Sequence, residues 1–247
     1  MKTNTVLEKI ERGEPAFGFS LGSGSPLIAE LVARAGFDWI WLDTQHGYWD
    51  ESELLAALQV IFPTDTTPIV RPGSNEFYRI GRLLDAGAEG VIVPMVNSPE
   101  EAAAAVHAAR YPPAGGRSGG GARLSLFGDD YFEKANDEVL VAVMIETTQA
   151  LAAVDEIAAV PGVDCLFIGP GDLRFFMETQ FGSAEHQAAI ARILDAANNA
   201  GIFAGFPCGA VEDAIRRAEK GFKLVTCTSD ISSLRAGLTS VLEALGR

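Results

Sequence analysis

The segment Trp39–Asp50, WIWLDTQHGYWD, joins a short apolar run to residues capable of proton chemistry. The run Trp39–Leu42 has the length of a buried strand, and Asp43, Gln45 and His46 follow it directly. A histidine three residues after an aspartate suits a general base whose tautomer and basicity are set by a carboxylate. The alternative is a hydrogen-bonded histidine on the rim of the fold that takes no part in catalysis.

Three further charged residues lie at the ends of other apolar runs. Arg71 ends one, Glu146 ends VAVMIE, and Asp172 follows a third in IGPGDL. Glu146 is either a ligand or the first acidic residue of the next helix, and Asp172 is either a ligand or a helix cap. Carboxylates at the ends of adjacent strands, about 4.8 Å apart, can share a hard divalent cation and leave positions for water and substrate. Arg71 offers planar donors to a carboxylate or a developing enolate oxygen.

This set of groups suits chemistry that passes through an enolate. A 2-oxo acid such as pyruvate loses a methyl proton more easily when a cation stabilises charge on its keto oxygen. The enolate adds to an aldehyde, and the reverse reaction splits a 4-hydroxy-2-oxo acid. A Schiff base would need a lysine at a strand end, and Lys223 precedes the last apolar run, at the wrong end of a barrel. We therefore expect a divalent metal (Mg²⁺, Mn²⁺ or Co²⁺) and no organic cofactor.

The elements that position these residues alternate along the whole chain, with about eight apolar runs separated by amphipathic segments. Most runs follow a glycine-containing turn, such as AGF before Trp39 and KGF before Leu224. This alternation predicts an α/β fold of parallel strands, a (β/α)8 TIM barrel forming a single domain over residues 1–247. The runs are Phe17–Leu21, Trp39–Leu42, Ile69–Arg71, Gly90–Pro94, Val139–Glu146, Cys165–Ile168, Ile202–Gly205 and Leu224–Cys227. Signals for helix starts lie at or near Pro26, Asp50, Glu76, Pro99, Thr148, Ser183 and Ser232.

One interval, Tyr111–Asp137, is too long and too rich in glycine for an ordinary connection. We expect it to be functional, with Ser118, Arg123 and Ser125 placed among glycines that allow close backbone approach to an anion. The alternative is a plain surface loop.

Composition narrows the partners of this chain. With 48% hydrophobic and 21% charged residues it fits a globular protein, and no stretch approaches the length of a membrane span. The net charge of −14 includes no basic stripe, so nucleic acid and anionic membranes are poor partners. The polar N-terminus argues against secretion and for a cytoplasmic location. Cys165, Cys208 and Cys227 are expected to be reduced packing residues, and His107 and His186 to be surface residues.

The motifs DTQHG, VRP, LLDAGAEGVIVPMV, ARYPPAGGRS, MIET and GVDCLFIGPGDL occur in this order along the chain. Their order and spacing resemble those of the HpcH/HpaI aldolases, the metal-dependent class II pyruvate aldolases, over nearly the whole length. The resemblance implies a lyase that reversibly cleaves a 4-hydroxy-2-oxo acid to pyruvate, or a related 2-oxo acid such as hydroxypyruvate, and an aldehyde.

The resemblance also implies roles for individual residues. They are His46 as base acting through a water, Arg71 as transition-state stabiliser, Glu146 and Asp172 as metal ligands, Asp85 as the acid supporting the histidine, and the Gly171 and Asp172 amides as the cradle of the substrate carboxylate. Taken by itself, Asp85 is equally a helix-end aspartate. The family further implies a homohexamer, a trimer of dimers whose last helices are exchanged, here Ser232–Leu245.

Two positions depart from the pattern of the heptenedioate enzyme. Gln45 replaces a frequent glutamate, and Met144 replaces a substrate-contacting glutamine. The segment DLRFFMETQ is also unusually aromatic and could narrow the aldehyde side. These departures affect specificity more than chemistry. Two other functions stay open: decarboxylation of oxaloacetate through the same enolate, and a barrel that binds a 2-oxo acid without turning it over.

Overall fold

The computed structural model describes all 247 residues and contains a closed barrel of eight parallel strands in sequence order. The predicted (β/α)8 barrel is confirmed, with strand ends within two residues of the predicted runs. The strands are β1 Ala16–Leu21, β2 Trp39–Asp43, β3 Thr67–Arg71, β4 Gly90–Val93, β5 Leu140–Ile145, β6 Cys165–Ile168, β7 Phe203–Pro207 and β8 Leu224–Ser229.

Side chains alternate between the barrel interior and the surrounding layer of helices, as the twofold period of a strand requires. Trp39 and Phe167 fill the interior and pack edge to face, with ring centroids 6.4 Å apart. Both rings depend on glycines in neighbouring strands. A Cβ atom at Gly18 or at Gly205 would lie 2.3 Å from the Trp39 or the Phe167 ring, respectively. The interior is therefore a packed core, and the chemistry is confined to the carboxyl ends of the strands, which we call the mouth.

Twelve helices surround the barrel, and most begin with a side-chain cap. Pro26, Pro99 and Thr148 are first helical residues, and Asp50 and Ser183 are N-caps, all as the start signals predict. The helices are α1 Thr5–Glu11, α2 Pro26–Ala33, α3 Glu51–Ile61, α4 Phe77–Ala86, α5 Pro99–Ala109, α6 Tyr131–Glu138, α7 Thr148–Ala152, α8 Val154–Ala158, α9 Pro170–Phe176, α10 Ala184–Ala200, α11 Val211–Glu219 and α12 Asp230–Ala244. No helix is both long enough and apolar enough to span a bilayer.

The last helix, α12, starts two residues earlier than predicted, because Ser229 rather than Ser232 is the capping residue. Only its first residue, Asp230, is buried, where the carboxylate accepts the backbone N–H groups of Gly22 and Ser23. The rest of the helix is exposed and carries an apolar stripe. The stripe consists of Ile231, Leu234, Leu238, Val241, Leu242 and Leu245, which are 40–67% exposed.

The long segment 111–137 corrects one expectation. It contains a 3-10 turn, Leu124–Leu126, and α6, and because it follows α5 it lies at the amino end of the barrel. Arg123 does not face an open anion site: it donates to the carbonyl of Ala86 and stacks on Phe127. Ser125 bonds to Ala122 within its own turn, and Ser118 is exposed. Arg123 is therefore engaged by contacts with the end of α4 and is not available to bind an anion.

Candidate active site

Arg71 and Asp43 form a nearly buried ion pair at the mouth. They are the last residues of β3 and β2, and the register places them side by side. Arg71 Nε donates to Asp43 Oδ1 at 2.8 Å, and Nη2 donates to Oδ2. Burial by itself would raise the pKa of Asp43, but the hydrogen bonds and charge of Arg71 and the N–H groups of residues 45 and 46 hold it below its ordinary value. Asp43 is therefore a fixed anion that orients the guanidinium.

His46 lies in the turn after β2 with its ring exposed, and its ring makes no hydrogen bond within the chain. The structure differs here from the expected Asp43–His46 pair. The turn closes through the Gly47 N–H to the Asp43 carbonyl at 3.1 Å. Asp43 Oδ1 accepts the backbone N–H groups of Gln45 and His46 instead of the imidazole. The ring is consequently free to reach a substrate or a water at the mouth.

Glu146 and Asp172 come together on the opposite side of the mouth. Glu146 directly follows β5 and is buried, while Asp172 is the third residue of α9, just beyond β6. Glu146 accepts the backbone N–H of Met95 at 2.7 Å. Burial raises the pKa of Glu146; the Met95 N–H opposes this, the charge of Asp172 adds to it, and the charge of Arg71 opposes it. These three charged side chains therefore share one electrostatic environment.

The two carboxylates fit a divalent cation. Two like charges forced together in a partly buried site are unfavourable, and a hard cation with oxygen ligands removes that repulsion. No group of three or more His, Cys, Asp or Glu side chains is arranged to hold a metal. A cation at Glu146 and Asp172 would therefore keep several positions for water and substrate oxygens, as an open catalytic site requires.

Gly169 makes the close approach of Glu146 to α9 possible. A Cβ atom at this position would lie 2.5 Å from both Cβ and Oε2 of Glu146. The next residues form the first turn of α9, where Pro170 lacks an N–H and the N–H groups of Gly171 and Asp172 have no partner in the chain. The predicted cradle residues thus lie beside the carboxylate pair.

Met144 and Trp41 form the floor below Arg71. The Met144 sulfur lies 3.8 Å from Arg71 Nη1, and the guanidinium stacks on the Trp41 ring at 4.7 Å from its centroid. A thioether is a weak acceptor, so Nη1 keeps its donor capacity for a substrate oxygen. The departure at Met144 therefore leaves the third arginine nitrogen available.

Asp85 is not brought to the mouth within one chain. It lies one residue before the end of α4, which runs from the mouth to the amino end of the barrel. Its carboxylate accepts Arg117 Nη2 at 2.7 Å. Arg117 is buried and stacks on Tyr111, and two of its nitrogens, Nε and Nη1, have no partner.

A groove of about 540 Å³ connects these two regions along α3 and α4. It borders the mouth at Thr44 and Pro72 and reaches Asp85 and Arg123 at the other end. A smaller cleft of about 280 Å³ opens next to Gln45 and Met95. The mouth is thus continuous with an outer surface that carries Asp85.

Several residues of this region could not be assigned from their sequence context. Met95 has φ of 55°, unusual for a residue other than glycine, and this conformation accompanies its N–H bond to Glu146. Arg117 stands in the motif ARYPPAGGRS, and nothing in the neighbouring sequence indicates that it is buried between aromatic rings. The buried His186 contacts Pro170, next to the cradle, although it was expected at the surface.

The closed barrel and the charged residues at its mouth define a (β/α)8-barrel enzyme. The sequence model of one family, described as HpcH/HpaI aldolase/citrate lyase, matches residues 17–236. A hydroxypyruvate/pyruvate aldolase of Paraburkholderia phytofirmans is 37% identical over 241 residues, covering 93% of this chain and 92% of that protein. A 4-hydroxy-2-oxo-heptane-1,7-dioate aldolase of Klebsiella pneumoniae is 40% identical, covering 95% and 91%.

The fold agrees with these relatives. A crystal structure of an HpcH/HpaI aldolase/citrate lyase family protein from Burkholderia cenocepacia superposes with a TM-score of 0.93 at 33% identity, covering 99% of this chain and 100% of that one. The chain belongs to the HpcH/HpaI aldolase/citrate lyase family.

Proposed function

We propose that this protein is a divalent-metal-dependent aldolase that reversibly cleaves a 4-hydroxy-2-oxo acid to pyruvate, or to hydroxypyruvate, and an aldehyde. The observation that carries the proposal is that Glu146 and Asp172 lie together at the mouth, where the charge of Arg71 also acts on Glu146. Relatives named hydroxypyruvate/pyruvate aldolase and 4-hydroxy-2-oxo-heptane-1,7-dioate aldolase support the same chemistry.

Each residue has a role that follows from its surroundings. Glu146 and Asp172 would hold the cation, and a bound cation would supply stabilisation of negative charge on the keto oxygen of the substrate. The N–H groups of Gly171 and Asp172 receive the substrate carboxylate. Arg71 donates from Nη1 to the oxygen on which charge develops, and Asp43 fixes its orientation. His46, directly or through a water, takes the proton from the 4-hydroxyl group in cleavage and returns it to the methylene carbon of the enolate, which gives the methyl group of pyruvate.

We further propose that Asp85 acts on His46 of a second copy. The distance along α4 separates Asp85 from the mouth of its own chain, whereas the groove along α3 and α4 joins the two regions on one surface. Two copies packed about a twofold axis through this surface would place each Asp85 at the mouth of the other. A homohexamer built from three such dimers is the assembly that the family resemblance favours.

Exchange of α12 between copies is part of the same proposal. In a (β/α)8 barrel the last outer helix ordinarily packs between the first outer helix and the one that precedes it in the chain, here α2 and α11. Those two helices expose apolar side chains instead: Leu27 and Leu31 on α2, and Val211 and Ile215 on α11. The apolar stripe of α12 from a second copy would cover this surface.

Exchange of the methyl protons of pyruvate in D₂O, followed by NMR, tests the proposed activity without knowledge of the aldehyde. We expect exchange by the metal-stripped protein only after addition of Mg²⁺, Mn²⁺ or Co²⁺. It should be lost in Glu146→Ala, His46→Ala and Arg71→Ala. Exchange that persists in folded, metal-free Glu146→Ala would refute the metal-dependent mechanism.

A further inference from the structure

His186 is fully buried at the start of α10, and both of its ring nitrogens are engaged. Nδ1 accepts the backbone N–H of Gly182 at 3.0 Å. Because Nδ1 is an acceptor, the proton lies on Nε2, which is 3.0 Å from the carbonyl oxygen of Pro170. Burial lowers the pKa of His186, which keeps the ring in this neutral form.

The carbonyl that His186 binds belongs to the first turn of α9, the turn that carries Asp172. This helix has only seven residues, and no side chain caps its start at Gly169. Its buried anchors are Pro170 and Leu173, while Phe175 and Phe176 are exposed. A short uncapped helix is marginal by itself, so its position depends on contacts to neighbouring elements.

We propose that His186 is a positioning residue, which fixes the first turn of α9 and thereby aims the Asp172 carboxylate and the Gly171 and Asp172 N–H groups into the mouth. This role rests on the proposed function, since it assumes that Asp172 holds the cation. The imidazole links α10 to the carbonyl of Pro170, two residues before Asp172. Through Gly182 it also links the loop between α9 and α10 to the same turn. Outer contacts that orient a metal ligand typically change metal affinity about 10- to 100-fold when removed.

Two substitutions separate the two hydrogen bonds of the ring. The amide nitrogen of His186→Gln can replace Nε2 and keep the bond to Pro170. The amide oxygen of His186→Asn can replace Nδ1 and keep the bond from Gly182, but the shorter side chain loses Pro170. We expect the Mn²⁺ Kd, measured by titration calorimetry, to rise about tenfold in His186→Asn and to stay within about threefold of the wild type in His186→Gln.

The control is His107→Gln, a substitution at an exposed histidine on α5, which should leave the Mn²⁺ Kd unchanged. Equal Mn²⁺ binding by the wild type and His186→Asn, or an equal loss in both His186 variants, would overturn the proposal. A wild-type protein that binds no Mn²⁺ would instead refute the proposed metal site and this role with it.

Hydrogen–deuterium exchange of the wild type gives a measurement that does not depend on folding of the variants. If His186 links the two segments, Mn²⁺ should slow exchange both in α9 and at the Gly182 amide, which lies ten residues after Asp172. Protection confined to the residues around Glu146 and Asp172 would contradict the link.

Discussion

Arg71 holds the carboxylate of Asp43 with two nitrogens and turns the third, Nη1, toward the sulfur of Met144 at 3.8 Å. Because the sulfur is a poor acceptor, Nη1 is the one guanidinium nitrogen free to serve a substrate. The pair therefore makes Asp43 a positioning residue for Arg71, and leaves His46 without an acidic partner in its own chain.

Asp43→Asn tests which residue Asp43 serves. The variant presents an NH₂ group to one of the arginine donors, so the guanidinium should lose its orientation. We expect the rate of pyruvate proton exchange to fall about 10- to 100-fold. This loss is smaller than the one expected when a donor to a developing oxyanion is removed, because Arg71 is still present. The pH–rate profile should keep its shape, because only the backbone N–H of His46, and not its ring, bonds to this carboxylate. A displaced acid limb in Asp43→Asn would show instead that Asp43 sets the pKa of the histidine.

Gly169→Ala should weaken metal binding without any change to a ligand. The added Cβ would lie 2.5 Å from Cβ and Oε2 of Glu146, and the buried carboxylate has to move. We expect the Mn²⁺ Kd to rise at least about tenfold. Gly171→Ala is the matched control, since a Cβ there meets nothing within 4 Å and the helical backbone accepts alanine. Comparable Mn²⁺ binding in both variants would show that Glu146 tolerates displacement.

The barrel and the main site residues could be predicted from sequence because both follow from local periodicity. Eight apolar runs alternate with helices, and the carboxyl ends of parallel strands meet at one mouth. Arg71, Glu146 and Asp172 therefore converge once the runs are placed, and the only uncertainty is one or two residues at each strand end.

The contacts of these residues were less predictable, because they depend on turn geometry and long-range packing. The turn at Gly47 directs Asp43 to the backbone and Arg71 rather than to the His46 ring. His186 is buried because it binds Pro170, 16 residues away in the chain. Arg117 and Arg123 stand in the same glycine-rich segment, and only packing decides that the first pairs with Asp85 while the second binds a carbonyl.

Glu89 should make stability depend on pH. It is buried at the amino end of the barrel with Lys2 3.6 Å away, and burial raises its pKa to about 7 against the partial opposition of that lysine. The fold therefore favours the protonated acid, and stability is lost as pH rises between the ordinary value near 4.5 and about 7.

The substitution Glu89→Gln replaces the carboxyl group with an amide of similar shape that is uncharged at every pH. We expect it to raise the free energy of unfolding at pH 8 by up to about 3 kcal/mol and to change it little at pH 4.5. Denaturant unfolding at both pH values measures this, with the exposed Glu133→Gln as control. A variant that is less stable than the wild type at pH 8 would show that the Lys2 pair outweighs the burial cost.

Charged residues on the α12 stripe should disrupt assembly. Leu238→Glu and Val241→Glu place a carboxylate on side chains that are 56% and 58% exposed in the single chain and apolar in the proposed contact. Burial of each such side chain stabilises by about 1.5–3 kcal/mol, so we expect a lower molar mass by light scattering. Ser240→Glu, on the same helix but off the stripe, should keep the wild-type mass. An unchanged mass in both stripe variants would exclude α12 from the interface.

Mixed assemblies test whether Asp85 serves the histidine of another copy. Asp85→Asn and His46→Ala should each be nearly inactive alone. When differently tagged chains are refolded together, a twofold dimer gains one site with His46 from one chain and Asp85 from the other, so activity should recover to about half of the wild-type value per mixed dimer. If Asp85 has only a structural role, as its pair with Arg117 at the far end of α4 would allow, the mixture should show no such recovery.

The control for this experiment carries both substitutions, Asp85→Asn and His46→Ala, in one chain mixed with wild-type chains. If Asp85 acts across the interface, each site of the mixed dimer lacks one of the two residues, and activity should be largely lost. If the two residues act within one chain, the wild-type chain keeps its complete site and about half of the activity. The two mixtures therefore give opposite results under the two arrangements, and both can be read from pyruvate proton exchange without knowing the aldehyde.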